Sequence, residues 1–355
     1  MLARHYVDAE GVTETLGGED ADATFPIASI TKTVVALAAA RLAVRDEVSW
    51  DAPALSSGGS PISLRQLLLH TAGLPFEYSS RQWSGPSVTR DELLSAFDDP
   101  PRIDLPRGTW HYSNLGYALA GIALERATGR PLSELVGSLV LDPLGMHATS
   151  FPRQPGPLGA GAAAGGLWSS LADLATLGAA LGGDRPDVVG QDELAQLLRS
   201  GTSLPDGTVW GAGIRTVPVG PHRILFASGT ISDRTTGLVV WPRRGVSVLL
   251  AQRGLPHETL RDAGIERWRR PDELHTWWWD GQEVVEARHG ASVDLVLRET
   301  GWPIPVFSGV ESAGRLRGRD HTGMPRTLVR SDARLAGPGI HLVAAVEDSA
   351  YGAGA

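Results

Sequence analysis

Phe25-Pro26-Ile27-Ala28-Ser29-Ile30-Thr31-Lys32-Thr33-Val34-Val35 is the stretch whose reading decides the fold. An Ala-, Val- and Leu-rich run continues to Val44 and predicts a helix from Ser29 to about Val44. On a helix, positions i and i+3 share a face, so the Ser29 hydroxyl and the Lys32 amine can meet. At the helix start, free N–H groups and the positive dipole end point toward any negative charge developing on Ser29. A serine hydroxyl needs a base. A desolvated lysine can be one; an arginine, with a pKa above about 12, cannot. The composition singles out that lysine: of 32 basic residues, 31 are arginine and only Lys32 is lysine.

The second sparse residue is Asn114, the single asparagine, in Tyr112-Ser113-Asn114. A tyrosine relays or accepts a proton when a nearby cation stabilises its phenolate. An asparagine amide can hold a substrate carbonyl and the lysine together. The chain has five tyrosines, so a tyrosine two residues before the sole asparagine makes a second rare coincidence. Ser29, Lys32 and Tyr112 are therefore the candidate catalytic residues, and Asn114 a candidate substrate-binding residue.

The bulk numbers set the frame. At 355 residues, 42% hydrophobic and 20% charged, the chain reads as an ordinary globular protein of about two domains. A formal charge of −8 offers no basic field for nucleic acid or an acidic membrane surface. With no cysteine there is no disulfide, thiolate metal site or cysteine nucleophile. Met1 to Thr24 shows no apolar signal-peptide core, and the longest apolar run, Val34 to Val44, is too short to span a bilayer, so a cytoplasmic location is expected. No His-Glu-x-x-His, Gly-x-Ser-x-Gly or Walker pattern occurs, and neither a metal nor a cofactor is called for.

Along the chain, residues 2–16 read as two strands around a Glu10-Gly11 turn. Helical pieces follow at Ser63–His70, Arg90–Phe97, Tyr112–Thr128, Pro131–Leu139 and Ser170–Leu181, separated by Pro and Gly clusters. Strands are expected at Val209–Val217, Arg223–Ala227, Thr236–Trp241 and Val246–Arg253, with a closing helix at 256–270. This order predicts an α/β (α+β) fold, a mixed sheet flanked by helices, with a mainly helical insertion at about 60–185. The catalytic domain is placed at 1–271. Residues 272–355 are read as a small β-rich appendage, from a hairpin strand at Trp277-Trp278-Trp279 and β runs at Val293–Arg298 and His341–Val346.

Ser-x-x-Lys at Ser29–Lys32 followed by Tyr-x-Asn at Tyr112–Asn114 resembles the serine β-lactamase and penicillin-binding-protein family, in particular class C β-lactamases and β-lactamase-like esterases and peptidases. Leu67-Leu68-Leu69-His70-Thr71-Ala72-Gly73-Leu74-Pro75, Gly108-Thr109-Trp110-His111, Asp142-Pro143-Leu144-Gly145-Met146 and Ala164-Gly165-Gly166-Leu167-Trp168-Ser169 extend the likeness over about residues 3–270. The resemblance implies a β-lactamase/transpeptidase-like fold and an acyl-enzyme on Ser29.

The family's third element is a strand carrying Lys or His, then Thr or Ser, then Gly. Chain order matches it to Ala227-Ser228-Gly229-Thr230, with alanine in the basic position; His321-Thr322-Gly323 is a closer string but has no closing helix after it. The backbone of Ser29 and Thr230 would still form the oxyanion hole. With Ala227 the carboxylate contact is lost, which disfavours β-lactams and favours an ester or thioester donor. Ser228, Gly229, Thr230 and His321 join Asn114 as candidate oxyanion and substrate-binding residues. The expected partners are a small-molecule acyl donor and acceptor. Within that family, the absence of a visible export signal and an Arg, Ala and Gly bias of the GC-rich kind together make the chain similar to intracellular β-lactamase-like transacylases of natural-product assembly, such as those of capuramycin-type antibiotics; a plain esterase and a non-catalytic sensor or binding module on the same fold are the alternatives.

Overall fold

A computed structural model describes residues 2–252 apart from short segments (9–12, 17–19, 58–59, 77–87, 104–107, 153–157, 200, 204–207, 220–221, 232–233 and 244), and, within 273–344, the strands of a second unit. The chain divides into two units, Met1–Arg269 and Arg270–Ala355.

The first unit is built on β1 (Leu2–Asp8) and β2 (Thr13–Leu16). Two minor ribbons come next, β3 (Phe25–Pro26) with β6 (Trp168–Ser169), and β4 (Pro53–Ser57) with β5 (Ser60–Ser63). The later strands are β7 (Thr202–Ser203), β8 (Val209–Trp210), β9 (Arg215–Val219), β10 (His222–Ile231), β11 (Arg234–Trp241) and β12 (Gly245–Gln252). Among the described residues the main sheet has eight strands in the order β2-β1-β12-β11-β10-β9-β8-β7. Every pairing in it is antiparallel, which corrects the expected mixed sheet. The N-terminal strand β1 joins the sheet next to its β2 edge by pairing Leu2–Asp8 with Ala251–Gly245.

The helices are α1 (Thr31–Val44), α2 (Leu64–Leu68), α3 (Arg90–Asp98), α4 (Asn114–Thr128), α5 (Leu132–Val136), α6 (Asp142–Leu144), α7 (Leu171–Gly182) and α8 (Gln191–Leu198). α1 is buried from Thr31 to Leu42 because it is apolar on all sides and runs through the middle of the unit. α7 packs on β11 and β12, where Gly178 leaves the space that Val246 and Leu238 occupy. α2 and α3 start at Ser63 and Thr89 with reciprocal capping boxes through Gln66 and Glu92. α8, the β4–β5 ribbon and the π turn Gly137–Leu141 were not among the expected elements.

Two helix starts differ from expectation at the residues that matter. α1 begins at Thr31, because Ala28–Ile30 forms a separate 3₁₀ turn entered through Ala28 at φ 45°. α4 begins at Asn114, because Ser113 is extended (φ −140°) and its side chain caps Gly116 N at 2.9 Å. The expected strand Val209–Val217 is broken into β8 and β9 around Gly213, at φ 70°. The expected closing helix at 256–270 lies outside the described residues.

The second unit is a closed antiparallel barrel: β13 (Glu273–Trp279), β14 (Gln282–His289), β15 (Ser292–Leu297), β16 (Phe307–Ser312), β17 (Arg315–Asp320), β18 (Pro325–Ser331), β19 (Arg334–Gly337) and β20 (Ile340–Ala344), with β13 closing on β20. Val293, Leu295, Leu316, Leu328 and Leu335 are buried. Among the described residues no helix is long and apolar enough to cross a membrane.

Candidate active site

Ser29 sits half-buried in the 3₁₀ turn, held from below by the sheet. A Cβ at Gly229 would run into Ile27 O and lie 2.6 Å from Ser29 N, so only glycine lets β10 approach the backbone of Ser29 this closely. The left-handed Ala28 next to Ser29 is the one non-glycine residue of that turn in a disfavoured conformation.

Lys32 follows one turn later, 2% exposed. Its Nζ lies 3.0 Å from Ser29 Oγ, donates to Asn114 Oδ1 at 2.7 Å, and donates to the carbonyl of Ala164. Two fixed acceptors match the two N–H groups of a neutral amine and leave its lone pair toward Ser29; the same three oxygens also satisfy an ammonium. Tyr112 Oη lies 2.9 Å from Ser29 Oγ on the other side, and Lys32 Nζ sits 5.0 Å from the Tyr112 ring centre. Ser29, Lys32, Tyr112 and Asn114, separated by up to 85 positions in the chain, thus share one hydrogen-bonded cluster.

His70 holds the segment carrying Tyr112 and Asn114. It occupies a left-handed conformation (φ 60°), its Nδ1 accepts from Ser113 N at 3.1 Å, and its ring stacks on Tyr112 at 4.4 Å. Burial first, then the charges of Lys32 and His111, push its imidazole well below the ordinary 6.5. In the unfolded chain His70 takes a proton below about pH 6.5, while in the folded chain it does not. Stability therefore falls as pH drops through that region, by up to about 1.4 kcal/mol per pH unit from this group. His70→Asn keeps an acceptor for Ser113 N–H and tolerates the left-handed backbone. It should flatten the decline of the thermal midpoint between pH 7 and pH 5; an unaltered slope would refute a neutral buried His70.

Ala227-Ser228-Gly229-Thr230, the match to the third motif by chain order, lies on β10. β9 pairs with β10 only from Val219↔His222 to Arg215↔Phe226, so Ala227–Ile231 are paired only to β11 among the described residues. Thr230 Oγ1 lies 3.1 Å from Thr235 Oγ1. Ser228 is half-buried and its Oγ lies 3.4 Å from Arg215 Nη2. His321 lies outside the described residues.

Sequence reading missed Arg215, Trp210 and the Ala164 carbonyl. Arg215 stands directly opposite Trp210 on one side and Phe226 on the other, its guanidinium carbon 4.8 and 4.6 Å from their ring centres. Trp210 in turn meets Trp110 at 4.9 Å and Tyr112 at 5.7 Å. A recess of about 360 Å³, lined in part by Val44, Arg65, Asp192 and Arg199, lies at the far end of α1 from Ser29, with no nucleophile among its described lining residues.

The family model described as Beta-lactamase matches residues 5–269. The chain belongs to the Beta-lactamase family. This family folds as a β-lactamase/transpeptidase-like sheet with flanking helices, and its members are serine hydrolases, among them esterases and amidases. Esterase EstB of Burkholderia gladioli is 34% identical over 182 residues, 42% of this chain and 46% of EstB, so the match spans under half of that relative. Of this Beta-lactamase family member, 97% superposes on the crystal structure of SurE, covering 94% of SurE, with a TM-score of 0.62 and 21% identity. The class C β-lactamase from Rhodobacter sphaeroides shares the fold over 74% of this chain and 92% of its own, with a TM-score of 0.60 and 19% identity.

Proposed function

We propose that this family member is a serine acyltransferase, which takes an acyl group from an ester or thioester donor onto Ser29 and passes it to an amine or alcohol acceptor. The observation that carries the acyl-enzyme step is the placement of Lys32 Nζ and Tyr112 Oη at 3.0 and 2.9 Å on either side of Ser29 Oγ. In this reading Lys32, with Tyr112, takes the Ser29 proton as Oγ attacks the donor carbonyl. The amides of Ser29 and Thr230 hold the oxyanion, Asn114 steadies the substrate carbonyl, and Tyr112 returns the proton to the leaving oxygen or sulfur. The acceptor then enters by the reverse proton path.

Support for transfer over hydrolysis comes from the wall beside Ser29. Tyr112, which bonds Ser29 Oγ, packs ring to ring with Trp210 and His70, and Trp210 with Trp110; an aromatic wall of this kind would favour transfer by excluding water from the acyl carbonyl. A carboxylesterase is the second reading, favoured by the EstB match.

Burst kinetics on an activated ester, with product analysis in the presence and absence of a panel of amines, tests both. The expected result is one equivalent of leaving group released in the burst, a matching mass adduct on Ser29, and an amide-to-acid ratio that rises with amine concentration. Acid as the sole product at every amine concentration would favour the esterase. No adduct from reactive esters or a fluorophosphonate would favour a non-catalytic binding module.

A further inference from the structure

On the outer face of the second unit, between β16 and β19, valines and arginines alternate. Leu316, Leu328 and Leu335 are buried on β17, β18 and β19, so the residues next to them in sequence lie on the opposite, outer face. Val310, Arg315, Arg317, Val329 and Arg334 all stand on that face and are exposed. The register sets an arginine directly across from each valine: Val310 pairs with Arg317, and Val329 with Arg315. Arg334 adds a third guanidinium on the next strand, across from Ser331, two residues beyond Val329.

Two features separate this face from an ordinary solvated sheet. Its valines are 45% and 53% exposed, where threonine would fit the strand equally well without presenting an apolar surface. Its arginines Arg315, Arg317 and Arg334 have no ion-pair partner among the described residues. The arginine on the other face of β18 is treated differently: Arg330, across from buried Leu335, pairs with Glu311 at 2.8 Å. Residues 315–334 hold six arginines and two aspartates, on a chain whose formal charge is −8. The positive charge is therefore local, set on an otherwise acidic molecule.

This chemistry selects an occupant. Guanidinium forks take carboxylates in paired hydrogen bonds, and arginine beside apolar side chains is the composition of an interface centre. Four neighbouring strands about 4.8 Å apart give a face roughly 15 Å wide, enough to seat one helix of about 10 Å. Two copies of this chain cannot pair through the same face, because an isologous contact would press arginine against arginine. Nucleic acid would use the arginines, yet it would meet the repulsion of a chain at −8 and has no use for the valines. A lipid surface calls for tryptophan or tyrosine anchors, and the exposed apolar residues of this face are valines.

We propose that the β16–β19 face docks an acidic partner protein, whose Asp and Glu side chains engage Arg315, Arg317 and Arg334 around an apolar contact on Val310 and Val329. This stands independently of the acyl-enzyme reading.

The test titrates the full chain, at low ionic strength, into fluorescein-labelled poly-glutamate, a random glutamate–tyrosine copolymer and a heparin fragment, read by anisotropy. Sedimentation with phosphatidylglycerol–phosphatidylcholine vesicles runs alongside. The copolymer, which offers carboxylates and apolar surface together, is expected to bind most tightly, with no protein pelleting with the vesicles. Replacing the three arginines together (Arg315→Gln, Arg317→Gln, Arg334→Gln) should weaken copolymer binding by about tenfold or more, the scale of lost interface arginines. Val329→Ser should weaken the copolymer by about threefold and leave poly-glutamate unchanged. Circular dichroism checks the fold; Arg315→Gln and Arg334→Gln taken singly repeat the test in smaller steps if the triple variant melts early. Failure of the copolymer to bind, or copolymer binding indifferent to the arginine variants, overturns the proposal. So does preference for heparin, which would make the face a nucleic-acid or polysaccharide site, or for vesicles, which would make it a lipid-binding one.

Discussion

Ser29→Ala should abolish turnover, by about 10⁴-fold or more, with the fold intact. The hydroxyl oxygen is the atom that both neighbours address, Lys32 Nζ at 3.0 Å and Tyr112 Oη at 2.9 Å. Without it there is no atom to acylate. The structural cost is small. Lys32 keeps Asn114 Oδ1 and Ala164 O, and the 3₁₀ turn is set by Ile27, Ala28 and Gly229, none of which touches the hydroxyl's chemistry. Two lost hydrogen bonds at a half-buried position amount to about 1–2 kcal/mol at most, and relief of a crowded polar site can offset part of that. Steady-state kinetics, circular dichroism and a thermal melt check both halves. Residual activity above about 1% with an unchanged melting profile would remove Ser29 from the mechanism.

The site was legible in the sequence where it used rare residues. A single lysine and a single asparagine leave few pairings to consider, and Ser29 and Lys32 are close enough in sequence for local geometry to join them. Arg215 carried no such mark, being one of 31 arginines; its place beside Ser228 follows only from the Arg215↔Phe226 register, which the sequence does not declare. The Ala164 acceptor is a backbone carbonyl and has no signature at all. The start of α1 was read two residues early because Ser29 and Ile30 belong to a 3₁₀ turn, entered through the left-handed Ala28 where the chain turns past Gly229.

The second unit shows the opposite limit. Its strands β17 (Leu-Arg-Gly-Arg) and β18 (Arg-Thr-Leu-Val-Arg) are mostly arginine and small polar residues, with Leu316 and Leu328 as their buried positions. One buried leucine per strand is too little for a period-two pattern to stand out, so three of the eight strands were read and the closure of the barrel was not. Closure supplies what the side chains do not: it pairs every strand on both sides and leaves no edge.

Lys32→Arg is the more searching variant, and a loss of about 10³–10⁴-fold is expected from it. It keeps the positive charge, so any role that needs only a cation near Ser29 or near a Tyr112 phenolate would survive. What it removes is a group able to give up a proton at neutral pH. Asn114 Oδ1 and Ala164 O hold Nζ on two sides and Ser29 Oγ meets it on a third. A guanidinium has no lone pair to turn that way. Tyr112→Phe supplies the contrast, with an expected loss of about 10²-fold, because it deletes the proton relay and keeps the amine. The pair of variants therefore orders the two candidates. If Lys32→Arg kept more than about a tenth of the wild-type kcat/KM while Tyr112→Phe lost nearly all of it, the base would be Tyr112, with the cation at position 32 serving only to hold its phenolate. The reverse order leaves Lys32 as the group that deprotonates Ser29.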